Sequence, residues 1–170
     1  MNMELFVIRH ARAADGELYG EDGDRPLTPE GRQHALEVGR ALHRHGAQFD
    51  RIISSPYVRA VETAELILVG MNFADGLLVS RQLVPEASAG QIISALLELH
   101  RDCPRLAIVG HEPSLGSLLS VLLQRKNIHP GKGACVALHL ADPRDLKTRA
   151  ELRWVITPHH LEPKASLDIL

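Results

Sequence analysis

The sequence is poor in cysteine, in net charge and in long apolar runs, and each scarcity excludes a class of protein. Two cysteines, Cys103 and Cys135, are too few and too far apart for a disulfide framework or a zinc site, so we expect both to be small buried side chains. A formal net charge of −2 provides no basic field for binding nucleic acid. No apolar run approaches the ~18 residues of a membrane span, and no signal-peptide pattern opens the chain. We therefore expect a cytoplasmic protein that binds neither nucleic acid nor membrane.

The remaining composition is that of an ordinary globular protein. Hydrophobic residues make up 45% of the 170 positions and charged residues 24%, which is enough apolar material for a sizeable core. No repeat, low-complexity tract or linker divides the chain. We therefore expect one domain spanning residues 1–170, and the composition gives no signal for or against an oligomer.

Short apolar runs alternate with segments of helical periodicity. Strands are predicted at 5–8, 51–53, 77–80 and 106–109, and helices are predicted to open at Thr28, Ser55, Ser88 and Glu112, the third of them ending near His100. After Pro130 the pattern alternates with a period of two, which predicts an antiparallel pair of strands near 136–140 and 152–156. This order predicts a three-layer α/β/α sandwich with a mostly parallel sheet and an antiparallel C-terminal hairpin.

Two of the predicted strands end in histidine. Arg9 and His10 follow the first strand, and His111 follows the strand that ends at 109. If the two strands are neighbours, both imidazoles meet at the carboxyl edge of the sheet, where open α/β sheets bind ligands. Arg59 lies in the first turn of the helix that Ser55-Pro56 opens, beside the positive end of that helix. Two arginines, two histidines and a helix terminus form a pocket suited to a dianionic phosphoryl group.

Several other catalytic patterns are absent. The chain contains neither the GxSxG serine elbow nor the GxxxxGK[ST] phosphate loop. A cysteine-dependent phosphatase needs an arginine six residues after its cysteine, but Val109 and Ala141 occupy those positions here. Asp22-Gly23-Asp24 is similar to an aspartate-nucleophile motif, but no predicted strand precedes it, so we interpret it as part of a loop.

These residues resemble the motifs of the histidine phosphatase superfamily, which includes phosphoglycerate mutases and acid phosphatases. Four blocks match in the expected order: Arg9-His10-Ala11 for Arg-His-Gly, Arg25-Pro26-Leu27-Thr28 with Gly31 for Leu-Thr-x-x-Gly, Ser54-Ser55-Pro56 with Arg59-Ala60 and Thr63-Ala64 for Ser-Pro-x-x-Arg-Ala-x-x-Thr-Ala, and Gly110-His111 for the second histidine. The Arg-His-Ala-x-Ala form and the Arg-Pro-Leu-Thr segment look most like the SixA-type phosphohistidine phosphatases. Ala11 stands where much of the superfamily has glycine, and it would be strained if that position needed a positive φ.

The resemblance implies a phosphoglycerate mutase-like fold and a division of roles. His10 is expected to attack phosphorus and form a phosphohistidine intermediate, while Arg9, Arg59 and His111 bind the phosphoryl oxygens, with no metal or other cofactor required. Glu86 is the only candidate by position for a general acid, and the sequence around it matches poorly. The expected substrate is phosphohistidine on a phosphorylated signalling protein, such as a histidine-containing phosphotransfer domain, because a P–N bond breaks readily without a dedicated acid.

Other interpretations of the site remain open. A broad small-molecule phosphomonoesterase or a mutase-like enzyme on the same fold is favoured if Glu86 points into the crevice. A non-catalytic phosphate- or phosphoprotein-binding module would bind phosphate without turnover. Five further histidines invite a metal site, but they lack zincin spacing and an accompanying cysteine or carboxylate cluster, so we expect no metal at His34, His43, His45, His159 and His160.

Overall fold

The apolar runs form strands and the periodic segments form helices in a computed structural model that describes residues 2–74, 76–99 and 103–170. Within these residues the strands are β1 (Met3–Arg9), β2 (Arg51–Ser54), β3 (Leu77–Val79), β4 (Arg105–Gly110), β5 (Cys135–Leu140), β6 (Glu151–Thr157) and β7 (His160–Lys164). The helices are α1 (Pro29–Arg44), α2 (Val58–Gly70), α3 (Ala89–Leu99) and α4 (Ser114–Leu123). The predicted helix end at His100 lies outside the described residues.

One mixed sheet contains all of these strands, in the order β3-β2-β4-β1-β5-β6-β7. The first four strands along the chain pair in parallel, and β5, β6 and β7 add to them antiparallel. The predicted fold class is therefore confirmed, including the neighbouring positions of β1 and β4. The sequence interpretation missed β7, because this edge strand is only five residues long and contains Pro163, which is atypical of a strand.

The two faces of the sheet are covered by different helix pairs. On β1, Phe6 and Ile8 pack with α1 and α2, whereas Leu5 and Val7 pack with α3 and α4. All four side chains are at most 4% exposed. A continuous apolar run is therefore required here, because a central strand of a covered sheet is buried on both faces.

Helix starts follow the predicted signals with two corrections, of which the smaller is that α4 begins at Ser114, after Pro113, rather than at Glu112. The Thr28 hydroxyl accepts a hydrogen bond from the backbone N–H of Gly31 (3.0 Å) and caps α1 as expected. The second helix begins at Val58 rather than at Ser55, because the Ser55 hydroxyl accepts from the Tyr57 N–H (3.3 Å) and Tyr57 keeps an extended backbone. Arg59 still lies in the first turn of α2, as predicted.

Both cysteines are buried and free, which confirms the expectation from the sequence. Burial raises the pKa of the Cys135 thiol, so this side chain stays protonated in the sheet. Among the described residues, no helix combines the length and the apolar character that crossing a membrane requires.

Gly31 brings α1 against the segment that follows β1. A Cβ atom at this position would overlap the carbonyl oxygen of Arg12, which also accepts a hydrogen bond from the Thr28 N–H (3.0 Å). We therefore expect Gly31→Ala to lower the free energy of unfolding by about 2 kcal/mol or more, because backbone must shift to admit the methyl group. Denaturant unfolding measures this change. Gly20→Ala is the control, since a Cβ there meets nothing within 4 Å, and equal stability of the two variants would contradict the packing argument.

Candidate active site

The carboxyl ends of β1 and β4 bring two histidines together. Arg9 pairs with Gly110 in the parallel register, so His10 and His111 follow at equivalent positions of neighbouring strands. Their ring centroids lie 5.1 Å apart, and the residues are 6% and 1% exposed. The sequence-predicted pairing of these imidazoles is therefore present in the fold.

The imidazole of His10 is held in one orientation. Its Nδ1 lies 2.7 Å from the carbonyl oxygen of Ala11. A carbonyl only accepts, so Nδ1 carries the hydrogen and Nε2 carries the lone pair in the neutral ring. The Nε–H of Arg59 donates to that Nε2 atom at 3.3 Å. The ring therefore presents its lone pair towards a guanidinium cation.

Arg59 is 3% exposed, and α2 connects it directly to the first motif. The hydroxyl of Thr63 donates to the Arg59 carbonyl (2.7 Å) and accepts from the Ala11 N–H (3.0 Å). The Thr-Ala of the third motif thus fixes α2 against the Arg-His-Ala segment. The outer guanidinium nitrogens donate to Asp22, through its carbonyl oxygen (2.7 Å) and its carboxylate (2.9 Å).

Ser55 and Tyr57 support the second histidine. The Nε2 atom of His111 lies 2.7 Å from the Ser55 hydroxyl, and the Tyr57 ring packs edge-on at 5.0 Å between centroids. Burial and the charges of Glu86 and Asp22 raise the pKa of the Tyr57 hydroxyl. These contacts fix the His111 ring and leave its Nδ1 atom for another partner.

Two buried nitrogen atoms of the site have no hydrogen-bond partner. Arg9 donates from Nη1 to the Pro130 carbonyl (3.1 Å), but its Nε is unpaired, as is Nδ1 of His111. Within the described part of the chain, these are the buried side-chain nitrogens or oxygens that lack a partner. Buried polar groups are rarely left unpaired, so both atoms indicate a place for an oxygen-rich ligand.

Burial and neighbouring charges keep both histidines neutral. Desolvation is the main cause that lowers the pKa of His10 to about 3, and Arg59, Arg9 and Lys132 lower it further. Desolvation also lowers the pKa of His111 to about 3, with contributions from His10 and Arg59. A neutral imidazole retains the lone pair that nucleophilic attack requires.

We expect neither active-site imidazole to titrate between pH 8 and about pH 5, because each ring stays neutral in the folded protein. The unfolded chain binds these protons below ~6.5, so acid destabilises the fold by roughly tenfold per imidazole per pH unit. NMR titration of ring signals, assigned with His10→Asn and His111→Asn, measures this. The same protein unfolded in denaturant gives the reference for a free imidazole, and a midpoint near ~6.5 for His10 in the folded protein would contradict the argument.

Glu86 and Ala11 are the two further positions that the sequence singled out. Glu86 is exposed and has no hydrogen bond within the described residues, although its charge acts on Tyr57. Its role as a general acid remains a prediction. Ala11 is buried and does not have a positive φ, unlike Asn72 and Asn127, so alanine causes no strain there.

Sequence reasoning missed Asp22, Ser55 and Tyr57 as neighbours of the site. Asp22 does lie in a short turn of the long loop (Asp22–Asp24), as the loop interpretation predicts, but its side chain contacts Arg59. The available signal is indirect, since a buried arginine requires a counter-charge and acidic residues are frequent in this loop. Partial burial raises the pKa of the Asp22 carboxyl, but Arg59 and Arg25 outweigh it and keep that pKa below its ordinary value.

Comparison with known proteins identifies relatives of this chain. The family model of the histidine phosphatase superfamily (branch 1) matches residues 5–78. An uncharacterized protein of Picosynechococcus sp. is 41% identical over 116 residues, which are 67% of this chain and 69% of that protein. Phosphohistidine phosphatase SixA of Escherichia coli is 27% identical over 122 residues, covering 71% of this chain and 74% of that protein.

A solved structure of the protein histidine phosphatase SixA, complexed with tungstate, superposes on this fold with a TM-score of 0.83. The superposition covers 94% of this chain and all (100%) of that one, and the two sequences are 23% identical, so this likeness concerns the fold. The fold, the order of the motifs and the family model all indicate the same family. The chain belongs to the histidine phosphatase superfamily and resembles its SixA-type branch.

Proposed function

We propose that this protein is a phosphatase that removes the phosphoryl group from phosphohistidine on another protein, through a phosphohistidine intermediate at His10. The observation that carries the proposal is the set of unpaired donors around an oriented lone pair. Arg9 Nε and His111 Nδ1 are buried without partners, and His10 holds its Nε2 lone pair on the same carboxyl edge of the sheet. We take the Ser55 hydroxyl to donate to His111 Nε2, so that the neutral ring carries its hydrogen on Nδ1. A phosphoryl group would then satisfy both donors and accept the His10 lone pair.

In the first step His10 Nε2 attacks phosphorus, so that a P–N bond forms as the bond to the leaving group breaks. The Arg59 Nε–H, which donates to Nε2 in the free protein, then donates to a phosphoryl oxygen. The Ala11 carbonyl, hydrogen-bonded to Nδ1–H, stabilises the positive charge that develops on the ring. In the second step water attacks phosphorus, the P–N bond breaks and neutral His10 is restored.

The leaving group favours a phosphorylated imidazole. Within the described residues, no carboxylate hydrogen-bonds to the ring of His10 or of His111, and Glu86 is exposed. An ester oxygen leaves poorly without an acid, whereas an imidazole leaves once solvent protonates its second nitrogen. Arg9, Arg59 and His111 supply the charge stabilisation, so the reaction needs no metal ion.

A protein substrate is supported by the relatives. SixA of Escherichia coli is named a phosphohistidine phosphatase. We propose a phosphorylated signalling protein, such as a histidine-containing phosphotransfer domain, as the partner, with both proteins in the cytoplasm. One domain comprising residues 1–170 would carry the activity.

Turnover of a phosphohistidine-carrying protein, compared with turnover of 3-phosphoglycerate and of an aryl phosphate, tests this proposal. We expect kcat/KM to be higher for the phosphohistidine protein by a wide margin. Faster turnover of the small esters, with a loss in Glu86→Gln, would instead indicate a small-molecule phosphomonoesterase or mutase-like enzyme. Phosphate binding without turnover of any donor would indicate a non-catalytic binding module.

A further inference from the structure

We propose that Asp22 is a positioning residue that holds the Arg59 guanidinium with its Nε–H directed at the Nε2 atom of His10. This inference rests on the proposed function, since it assigns a task to Asp22 in the same phosphoryl site. It concerns a loop residue outside the four sequence motifs. Its basis is the way in which the hydrogen-bond donors of Arg59 are distributed between two residues.

The hydrogen-bond donors of the Arg59 guanidinium are shared between His10 and the loop that carries Asp22. The Nε–H donates to His10 Nε2 at 3.3 Å. Nη1 donates to the Asp22 carbonyl oxygen at 2.7 Å, and Nη2 donates to the Asp22 carboxylate at 2.9 Å. Two acceptors from one residue fix both the position and the rotation of a planar group. The orientation of Arg59 towards His10 therefore depends on Asp22.

Asp22 is itself held in place from the other side. Its second carboxylate oxygen accepts from the Nε–H of Arg25 at 2.9 Å, and Arg25 also donates to the Ala14 carbonyl at 3.1 Å. Gly23 packs beneath the Tyr57 ring, where an added Cβ would lie 3.4 Å from the ring. The loop therefore presents Asp22 as a fixed acceptor rather than as a freely moving surface carboxylate.

Burial makes this support necessary. The Arg59 side chain is 4% exposed, and a buried guanidinium needs acceptors for its hydrogens. The Asp22 side chain is 57% exposed, so it lies at the rim and can be replaced without opening a core cavity. The long arginine side chain has several rotamers. Replacing Asp22 removes the carboxylate acceptor of Nη2 and leaves the backbone carbonyl as acceptor of Nη1, so the guanidinium can rotate and its Nε–H is no longer held towards Nε2.

Electrostatic repulsion is the competing effect. A carboxylate beside Arg59 also repels a phosphate dianion, so its removal alone would strengthen phosphate binding. Because Asp22 is more than half exposed, water screens this repulsion. We therefore expect the positioning effect to exceed the repulsion, and the two effects predict opposite signs for the change in phosphate affinity.

Asp22→Ala and Asp22→Asn separate hydrogen bonding from charge, with Asp24→Ala as the matched control. Asp24 lies in the same turn, is exposed, and its side chain has no hydrogen bond within the described residues. Three quantities are measured on the full chain: the Kd of inorganic phosphate by calorimetry, kcat and KM with a phosphohistidine protein, and the ¹⁵N–¹H signal of Arg59 Nε by NMR. The arginine signal reports its hydrogen bond directly, and a general loss of stability leaves it in place.

We expect Asp22→Ala to weaken phosphate binding by about tenfold, to lower kcat by roughly 10- to 100-fold, and to shift the Arg59 Nε–H signal. Asp22→Asn, which retains an oxygen acceptor, should stay within about threefold of the wild type, and Asp24→Ala should match it. Tighter phosphate binding in Asp22→Ala, an unmoved Arg59 signal, or an equal loss in Asp22→Asn would overturn the proposal. If the wild type binds phosphate but hydrolyses nothing, the proposed function fails, while the phosphate affinities and the Arg59 signal still decide the role of Asp22.

Discussion

Replacing His10 with alanine is expected to lower kcat/KM for a phosphohistidine protein by at least about a thousandfold, because the attacking atom itself is removed. We expect the second imidazole not to take over the attack, since its Nε2 is bound to the Ser55 hydroxyl and its Nδ1 acts as a donor to the phosphoryl oxygens in the proposed mechanism. The same substitution should abolish covalent labelling of the enzyme. Steady-state kinetics and labelling with the phosphorylated protein measure both effects.

His43→Ala is the control for the loss of a histidine outside the site, because His43 is exposed on α1. We expect that variant to keep wild-type turnover. His10→Ala should remain folded, since its side chain bonds only to Ala11 and Arg59 among the described residues. A folded His10→Ala protein with turnover within tenfold of the wild type would contradict the assignment of the nucleophile.

Arg59→Ala is expected to lower kcat by about 10²–10³, the usual effect of removing one preorganised donor to transition-state charge. Arg59 is buried and its Nε–H lies 3.3 Å from His10 Nε2, so the guanidinium is held beside the atom that attacks phosphorus. KM should rise less than kcat falls, since charge on the equatorial oxygens is best stabilised in the transition state. Turnover of a phosphohistidine protein provides both constants.

Arg59→Lys sharpens this test. Lysine retains the charge, but its donors all lie on one nitrogen atom and do not reproduce the planar fork with which Nε, Nη1 and Nη2 reach His10 and Asp22. We therefore expect it to recover only a small part of the lost rate. Arg40→Ala, at an exposed position of α1, is the control. Full activity in Arg59→Lys would show that a point charge suffices and would contradict the geometric role.

The sequence predicted the central sheet well because β1 and β4 carry unambiguous patterns. Their apolar runs are buried on both faces and end in polar residues, and these features depend on local sequence alone. The juxtaposition of His10 and His111 followed from the general rule that ligands bind at carboxyl ends of parallel strands. Arg59 was placed near them by its position in the first turn of a helix.

Contacts between distant segments were not predictable in this way. Asp22 meets Arg59 across 37 positions of sequence, and Ser55 meets His111 across 56. Nothing in the local pattern of the loop distinguishes Asp22 from the neighbouring acidic residues, because its partner is chosen by the tertiary fold. The helix α2 begins later in the chain than predicted for a related reason. The Ser55 hydroxyl accepts from the Tyr57 N–H in a turn and contacts His111, so it does not cap the helix.

Trapping the enzyme during turnover tests the central claim most directly. The enzyme is mixed with a phosphohistidine protein, quenched in alkali within one turnover, digested and examined by mass spectrometry. We predict one acid-labile phosphoryl group on His10 in the wild type and none on any residue of His10→Ala. Phosphate release from the substrate with no phosphoryl group on His10, or with one on a different residue, would contradict the mechanism.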